Sequence, residues 1–175
     1  MKKNASLFNH TAAGILPIIK MNDTIYFLLG REKHGLDFDK SGKFSDFGGH
    51  KDLNETPEET AIREFDEESM GVLYDKNKLK GIISTLPKYI NKKYNYVIFL
   101  LKIDYKPDII NTYNTILKKL QTCEGVNKKS LPRCNNGLLE KTEFKLFKVH
   151  NILKNKKILR KEFISTFKIL VKEMK

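Results

Sequence analysis

The segment from Phe44 to Val72 constrains the fold more than any other part of the sequence. Gly48 and Gly49 close an apolar stretch, a polar loop follows, and Thr56 then precedes a proline and two glutamates. Threonine at the N-cap, proline at the first helical position and acidic residues in the first turn are typical of a helix N-terminus. This pattern predicts a helix from residue 57 to about residue 69.

One face of the predicted helix carries the acidic groups that point to chemistry. Glu64, Glu67 and Glu68 are spaced i, i+3 and i+4, so they share that face. Like charges this close destabilise a helix unless a cation neutralises them, and carboxylate oxygens are hard ligands that suit Mg2+ or Mn2+. The pattern predicts a divalent metal site. Arg63 is expected to pair with Glu55 and pin the preceding loop to the helix.

These residues resemble the Nudix box, G-x5-E-x7-R-E-U-x-E-E-x-G-U, in which U is a bulky apolar residue. The positions that match in type and spacing are Gly49, Glu55, Arg63, Glu64, Phe65, Glu67 and Glu68. The end of the motif departs from the box, because Gly71 comes one position late. We therefore expect a helix end that is one residue longer, with Gly71 at positive φ. A plain solvated acidic face is the alternative.

The resemblance implies an α/β fold, a Nudix-type α/β/α sandwich with a mixed central sheet in which the box helix (box 49–72) carries the metal site. It implies hydrolysis of a nucleoside diphosphate linked to another group, with Mg2+ or Mn2+ as cofactor. The metal ligands that it implies are the carbonyl of Gly49 and the carboxylates of Glu64, Glu67 and Glu68.

The resemblance also implies a carboxylate that accepts a proton from the attacking water. Some family members use a glutamate of the box, and others use one on a later loop. In this chain Glu140 is the first candidate for a later glutamate and Glu143 the second, both just before a late strand. Ordinary surface acids are an equal alternative for both.

Length and cysteine content predict a single domain over residues 1–175. The chain is long enough to bury a sizeable core, and it has no apolar run near the ~20 residues needed to span a bilayer. Cys123 and Cys134 lack a CxxC spacing, which favours free thiols in a reducing compartment. We expect a cytoplasmic protein that does not associate with a membrane and has no obligate protein partner.

Charge is distributed unevenly along the chain. Residues 1–75 contain 9 Lys and Arg against 14 Asp and Glu, whereas residues 76–175 contain 24 against 7. An acidic site within a basic body favours a metal-dependent enzyme that acts on a polyanion. Lysine enrichment from an AT-rich genome is an equal alternative.

Two basic segments are candidates for substrate binding. Lys92, Lys93 and Tyr94 interleave charge and aromatic rings, which suits RNA or nucleotide binding, because lysines contact phosphates and rings stack on bases. A solvent-exposed hairpin is the alternative for this segment. Arg31 and Lys33 begin a polar loop and are expected to contact phosphate.

The substrate predicted from these features is the 5′ cap of messenger RNA, cleaved to m7GDP and RNA with a 5′-monophosphate. The Lys- and Asn-rich composition and the SDFGG segment resemble Nudix proteins of large DNA viruses, some of which remove caps. The alternatives are small nucleoside diphosphate or diphosphoinositol polyphosphate substrates, and a binding module without catalysis.

The other elements follow from hydrophobic periodicity and turn signals. Strands are predicted at 11–19, 24–30, 43–47, 79–86, 94–103 and 143–149, helices at 112–122 and 158–174, and loops at 31–43 and 123–137. Pro17 suggests that the first strand lies at an edge or contains a bulge.

Overall fold

A mixed seven-stranded sheet forms the centre of the computed structural model, which describes residues 9–33, 41–126 and 140–173. The strands are β1 (Ala12–Met21), β2 (Thr24–Glu32), β3 (Phe44–Ser45), β4 (Phe47–His50), β5 (Lys88–Asn91), β6 (Tyr96–Lys102) and β7 (Lys141–Lys148). The α-helices are α1 (Pro57–Ser69), α2 (Lys76–Ile82), α3 (Ile109–Val126) and α4 (Lys161–Glu173). Within these ranges, no helix has the length and apolar character needed to cross a membrane.

Strand β1 is the central strand of the sheet. It pairs in parallel with β6 and antiparallel with β2 and β4, in the order β3-β2-β1-β6-β5, while β7 extends the sheet from β2. The expectation that Pro17 marks an edge strand is therefore wrong. On one side of β1, β4 pairs up to Ile15 and β2 pairs from Ile18 onward, so the proline falls between these two partners.

Apolar side chains cover both faces of this sheet. One face packs against α1, α2 and α3 through residues such as Phe65, Leu79 and Tyr113. The other face packs against α4 through Phe163 and Phe167, together with residues of a 3-10 segment at Val149–Ile158. The result is the three-layer α/β/α sandwich with a mixed sheet that the sequence predicted.

Helix α1 spans Pro57–Ser69, the bounds that the sequence predicts, but the residue that terminates it differs from the expected one. Thr56 caps it and forms a complete capping box with Glu59. The helix stops at Ser69, so the expected longer end is wrong. Met70 occupies the glycine position of the box and itself takes the left-handed conformation, at φ 52°. Gly71 follows at φ 66°, which confirms its predicted positive φ.

The predicted strand at 79–86 is wrong. Asp75 accepts a hydrogen bond from the Lys78 backbone N–H at 2.8 Å and starts α2 there. A 3-10 turn at Ile83–Thr85 continues from α2 and buries Ile83. The following segment supplies the strand β5, which forms an antiparallel hairpin with β6, and Asn95 takes a positive φ of 47° before β6.

Several predicted boundaries also differ from the structure. The predicted strand at 43–47 is divided into β3 and β4, and α3 begins three residues before the predicted helix at 112–122. Residues 123–126 are helical rather than looped, and 127–139 lie outside the described residues. Helix α4 starts at Lys161 instead of residue 158 because the 3-10 segment precedes it, and residue 174 is likewise outside the described part.

A pair of glycines sets how closely β1 and β4 approach each other. Gly14 lies opposite Gly48, and a Cβ on Gly14 would be 2.5 Å from the Phe47 carbonyl oxygen. Because that atom is backbone, we expect Gly14→Ala to lower the free energy of unfolding by about 1–3 kcal/mol or more. Gly81→Ala is the control, since its Cβ meets no atom within 4 Å, and in α2 it should stabilise by up to about 1 kcal/mol. Denaturant unfolding of both variants measures the contrast, and equal effects would contradict it.

Candidate active site

An open cavity of about 580 Å3 lies where β4, the N-terminal end of β1 and helix α1 meet. Helix α4 and the β5–β6 hairpin contribute to its lining. Predicted site residues in the lining are Gly49, Arg63, Glu64, Glu67, Glu68, Tyr94 and Glu140. The sandwich therefore brings most of the box together with one later glutamate and one aromatic residue.

Arg63 ties the box loop to helix α1. Its guanidinium donates to both carboxylate oxygens of Glu55, at 2.8 and 3.0 Å, and to the carbonyl of His50 at 2.9 Å. Its remaining nitrogen lies 2.7 Å from Glu64 and 3.4 Å from Glu67. One arginine thus fixes the loop and partly neutralises two glutamates of the site.

The Arg63 pair should make stability depend on pH. Its hydrogen bonds lower the pKa of Glu55 to about 2 from an ordinary 4.5. A depressed carboxyl pKa stabilises the fold fully above the unfolded value, and that contribution disappears as the pH falls towards 2. We expect Glu55→Gln to lower the free energy of unfolding by about 2 kcal/mol at pH 7. The difference from wild type should shrink between pH 5 and pH 3 in urea unfolding, and a constant difference would contradict the assignment.

Glu64 and Glu67 present their carboxylates to the cavity. Burial raises the pKa of each above its ordinary value, and Arg63 opposes that shift. Gly49 allows Glu64 to approach β4, because a Cβ at this position would lie 2.6 Å from the Glu64 carboxylate. Any larger residue here would displace the Glu64 carboxylate from this position.

Glu68 is buried, unlike its two neighbours in the box. It accepts a hydrogen bond from the Gly48 backbone N–H at 2.9 Å, and its other oxygen lies 3.2 Å from Nζ of Lys141. Burial raises the pKa of Glu68 well above its ordinary value, and Lys141 opposes the shift. Sequence reasoning missed Lys141. A register shift between Arg31 and Glu32 in the β2–β7 pairing turns this lysine into the interior.

The deep wall of the cavity contains a second polar cluster that was not predicted. The Tyr96 hydroxyl donates to Asp46 at 2.5 Å, and burial raises the pKa of the Asp46 carboxyl. Arg160 donates to Glu32 at 3.0 Å. Asp46 lies between two buried phenylalanines in the sequence, and that polar interruption was the available signal.

The two later glutamates separate in the structure. Glu140 lines the cavity, where its charge contributes to the raised pKa of Glu64. Glu143 instead pairs with Arg31 at 3.1 Å, and the Arg31 guanidinium lies 4.8 Å from the centre of the Phe44 ring. Neither Glu143 nor Arg31 lines the cavity.

Only some of the predicted substrate-binding residues line the cavity. Tyr94 is half-buried and lines the cavity, while Lys92 and Lys93 are exposed beside it in the β5–β6 turn. Nζ of Lys93 lies 5.1 Å from the centre of the Tyr94 ring. Lys33 is exposed, donates its backbone N–H to the Glu140 carbonyl at 2.7 Å, and stays outside the lining.

The acidic side chains are chemically suited to a hard divalent cation. Across residues 9–33, 41–126 and 140–173, no three His, Cys, Asp or Glu side chains converge as a ready metal site. The guanidinium of Arg63 instead lies between the carboxylates of Glu64 and Glu67 and contacts both. Crowded carboxyls whose pKa values are raised by burial favour an added cation, and an all-oxygen donor set fits Mg2+ or Mn2+.

Comparisons with known proteins support the fold. No protein-family model and no curated protein matches the sequence. An Ap4A hydrolase of C. elegans, solved as a binary complex, is 17% identical with a TM-score of 0.53, over 95% of this chain and 98% of that chain. The Nudix hydrolase RenU of M. smegmatis is 15% identical with a TM-score of 0.52, over 94% and 86%.

A third structure, from Francisella tularensis, is a bifunctional NMN adenylyltransferase/ADP ribose pyrophosphatase complexed with AMP and a Mn ion. It is 14% identical with a TM-score of 0.50, over 94% of this chain and 42% of that chain. Identities this low establish architecture alone. The chain therefore has the fold of the Nudix hydrolases.

Proposed function

We propose that this protein is a metal-dependent phosphoanhydride hydrolase of the Nudix type. The observation that carries the proposal is one cavity that joins Gly49 and the three box glutamates with Glu140. The architecture agrees, because structures with this fold include an Ap4A hydrolase and a bifunctional NMN adenylyltransferase/ADP ribose pyrophosphatase. The substrate class is a nucleoside diphosphate linked to another group.

Each residue of the cavity has a role in this proposal. Glu64, Glu67, Glu68 and the Gly49 carbonyl would hold Mg2+ or Mn2+, which when bound supplies positive charge against the phosphate oxygens and acidifies water. Arg63 fixes the loop that carries Gly49. Glu140 is exposed at the cavity and would accept the proton, with a box glutamate as the alternative for that role.

The substrate that we propose is the 5′ cap of messenger RNA, cleaved to m7GDP and RNA with a 5′-monophosphate. Tyr94 provides an aromatic ring in the cavity, and Lys92 and Lys93 extend positive charge from it. The excess of basic residues after residue 75 supports binding of a long polyanion. The similar Ap4A hydrolase and ADP ribose pyrophosphatase structures favour small nucleotides as a second candidate class, namely Ap4A or ADP ribose.

A substrate panel tests the reaction class and separates these candidates. Capped RNA, free cap dinucleotide, Ap4A, ADP ribose and a diphosphoinositol polyphosphate are incubated with the protein and Mg2+ or Mn2+, and the products are separated by chromatography. We expect hydrolysis that excess EDTA abolishes. Undiminished hydrolysis in EDTA would contradict metal dependence. Binding without any hydrolysis would indicate a non-catalytic module.

A further inference from the structure

Lys141 is fully buried and has several polar partners at short distances. Its Nζ lies 2.7 Å from Glu32, 2.9 Å from the Ser45 hydroxyl and 3.2 Å from Glu68. It also lies 3.3 Å from the Asp46 backbone carbonyl. Lysine is almost never fully buried unless it is paired. This ammonium group is therefore built into the protein by specific contacts.

The surrounding backbone makes room for the lysine stem. A Cβ on Gly30 would lie 2.8 Å from Cδ of Lys141, so a larger residue at this position in β2 would push the lysine stem out of its present place. Helix α3 supports the same strand from outside, where the Tyr113 hydroxyl donates to the Lys141 carbonyl at 2.6 Å. Contacts from two elements thus hold the lysine on the inner side of the box helix.

The contact with Glu68 distinguishes this box glutamate from the other two. Its two oxygens accept from Gly48 and Lys141, and its side chain is only 2% exposed. Glu64 and Glu67 instead share Arg63, whose side chain is 20% exposed at the cavity. The positive charge near Glu68 is therefore sealed inside the protein, whereas the site beside Glu64 and Glu67 is open to ions from solvent.

We propose that Lys141 is a positioning residue that acts as a resident cation of the acidic site. It fixes Glu68 and Glu32 and takes the place of a second divalent ion beside Glu68, so the site binds fewer metal ions than its carboxylates would otherwise attract, while the ion of the proposed function is kept. The inference rests on the proposed function in one respect, since it supposes that the box glutamates attract metal. It goes further by assigning part of the charge balance to a lysine outside the box.

Removing the ammonium group should increase metal binding. In Lys141→Met, Glu32 keeps its contact with Arg160, but Glu68 remains buried without a counterion, and an unpaired buried carboxylate is strongly disfavoured. A divalent cation that enters this space relieves that cost. We expect Lys141→Met to take up one additional Mn2+ ion or to bind Mn2+ about tenfold more tightly. Mn2+ should also raise its Tm more than it raises that of the wild type.

The experiment measures metal binding directly and does not depend on turnover. Mn2+ is titrated into each full-length variant, free Mn2+ is counted by electron paramagnetic resonance, and Tm is recorded with and without the ion. Lys145→Met is the matched control, because Lys145 is an exposed lysine on the same strand and its Nζ lies 5.8 Å from the centre of the Phe147 ring. If Lys141→Met does not fold, the double variant Glu32→Gln/Lys141→Met replaces it, since it removes one buried charge of each sign.

The results separate this inference from the proposed function. Equal Mn2+ uptake and equal Mn2+-induced shifts in Tm for the wild type, Lys145→Met and the Lys141 variant would overturn the inference, even if the wild type hydrolyses its substrate. Increased uptake in the Lys141 variant alone supports the inference. That result would stand even if the wild type hydrolysed nothing in the substrate panel, in which case only the proposed function would fail.

Discussion

Glu67→Gln should lower the rate of hydrolysis by roughly 10²–10⁴-fold, because it removes a proposed ligand of a metal ion that would stabilise the transition-state charge by several kcal/mol. Glu67 lines the cavity, and its contact with Arg63 is 3.4 Å, against 2.7 Å for Glu64. Glutamine keeps the shape of the side chain but removes its negative charge. The fold should therefore survive while metal affinity and turnover fall together.

Controls on the same helix make this result specific. Glu58→Gln changes an acidic residue that pairs with Lys88 at 3.1 Å and does not line the cavity, so its activity should match that of the wild type. Glu68→Gln should also lose turnover, but it additionally breaks contacts with Gly48 and Lys141. Rates are measured at saturating metal, with circular dichroism to verify folding. Full activity of Glu67→Gln would refute the assigned role of the box.

Capped RNA should lose its advantage over small nucleotides as the salt concentration rises. Each phosphate contact on a single strand contributes a slope of about −0.7 to the logarithmic salt dependence, so four contacts give roughly a 50-fold loss of affinity for a fourfold rise in salt. The Michaelis constant for capped RNA should therefore rise steeply, while that for free cap dinucleotide changes little. Uncapped RNA should inhibit competitively.

Charge reversal locates the contacts with RNA. Lys92→Glu/Lys93→Glu places negative charge beside Tyr94 at the cavity, so it should weaken turnover of capped RNA and spare small substrates. Lys20→Glu/Lys102→Glu makes the same change in net charge at the opposite end of β1 and β6 and should have little effect. Equal turnover of free nucleotides and RNA, without inhibition by uncapped RNA, would contradict RNA as the substrate. The lysines would then reflect genome composition.

The parts of the site that could be predicted from sequence are those formed by local interactions. The start of α1 depends on Thr56 and its neighbours, and the glutamate spacing depends only on helical periodicity. Local patterns gave the wrong prediction where the spacing of apolar residues is compatible with both a strand and a helix. The segment at 79–86 has apolar residues compatible with a strand, but the Asp75 cap selects a helix.

Features that depend on strand pairing could not be predicted. The inward direction of Lys141 follows from an irregular register between β2 and β7, and no residue near Lys141 encodes that register. The central position of β1 likewise depends on its parallel pairing with β6. Met70 in place of the box glycine shows the converse case, because the backbone conformation is kept although the expected residue type is not.

Two cations of the site, Arg63 and Lys141, make their contacts at very different separations along the chain. Arg63 reaches Glu55 across eight residues, whereas Lys141 reaches Glu32 across 109. Loop-closure entropy makes short-range contacts faster to form, so the box loop can settle on α1 early. During synthesis, Glu68 leaves the ribosome well before β7 does. Until β7 docks, this glutamate lacks the ammonium group of Lys141, so we expect the inner side of α1 to be buried late in folding.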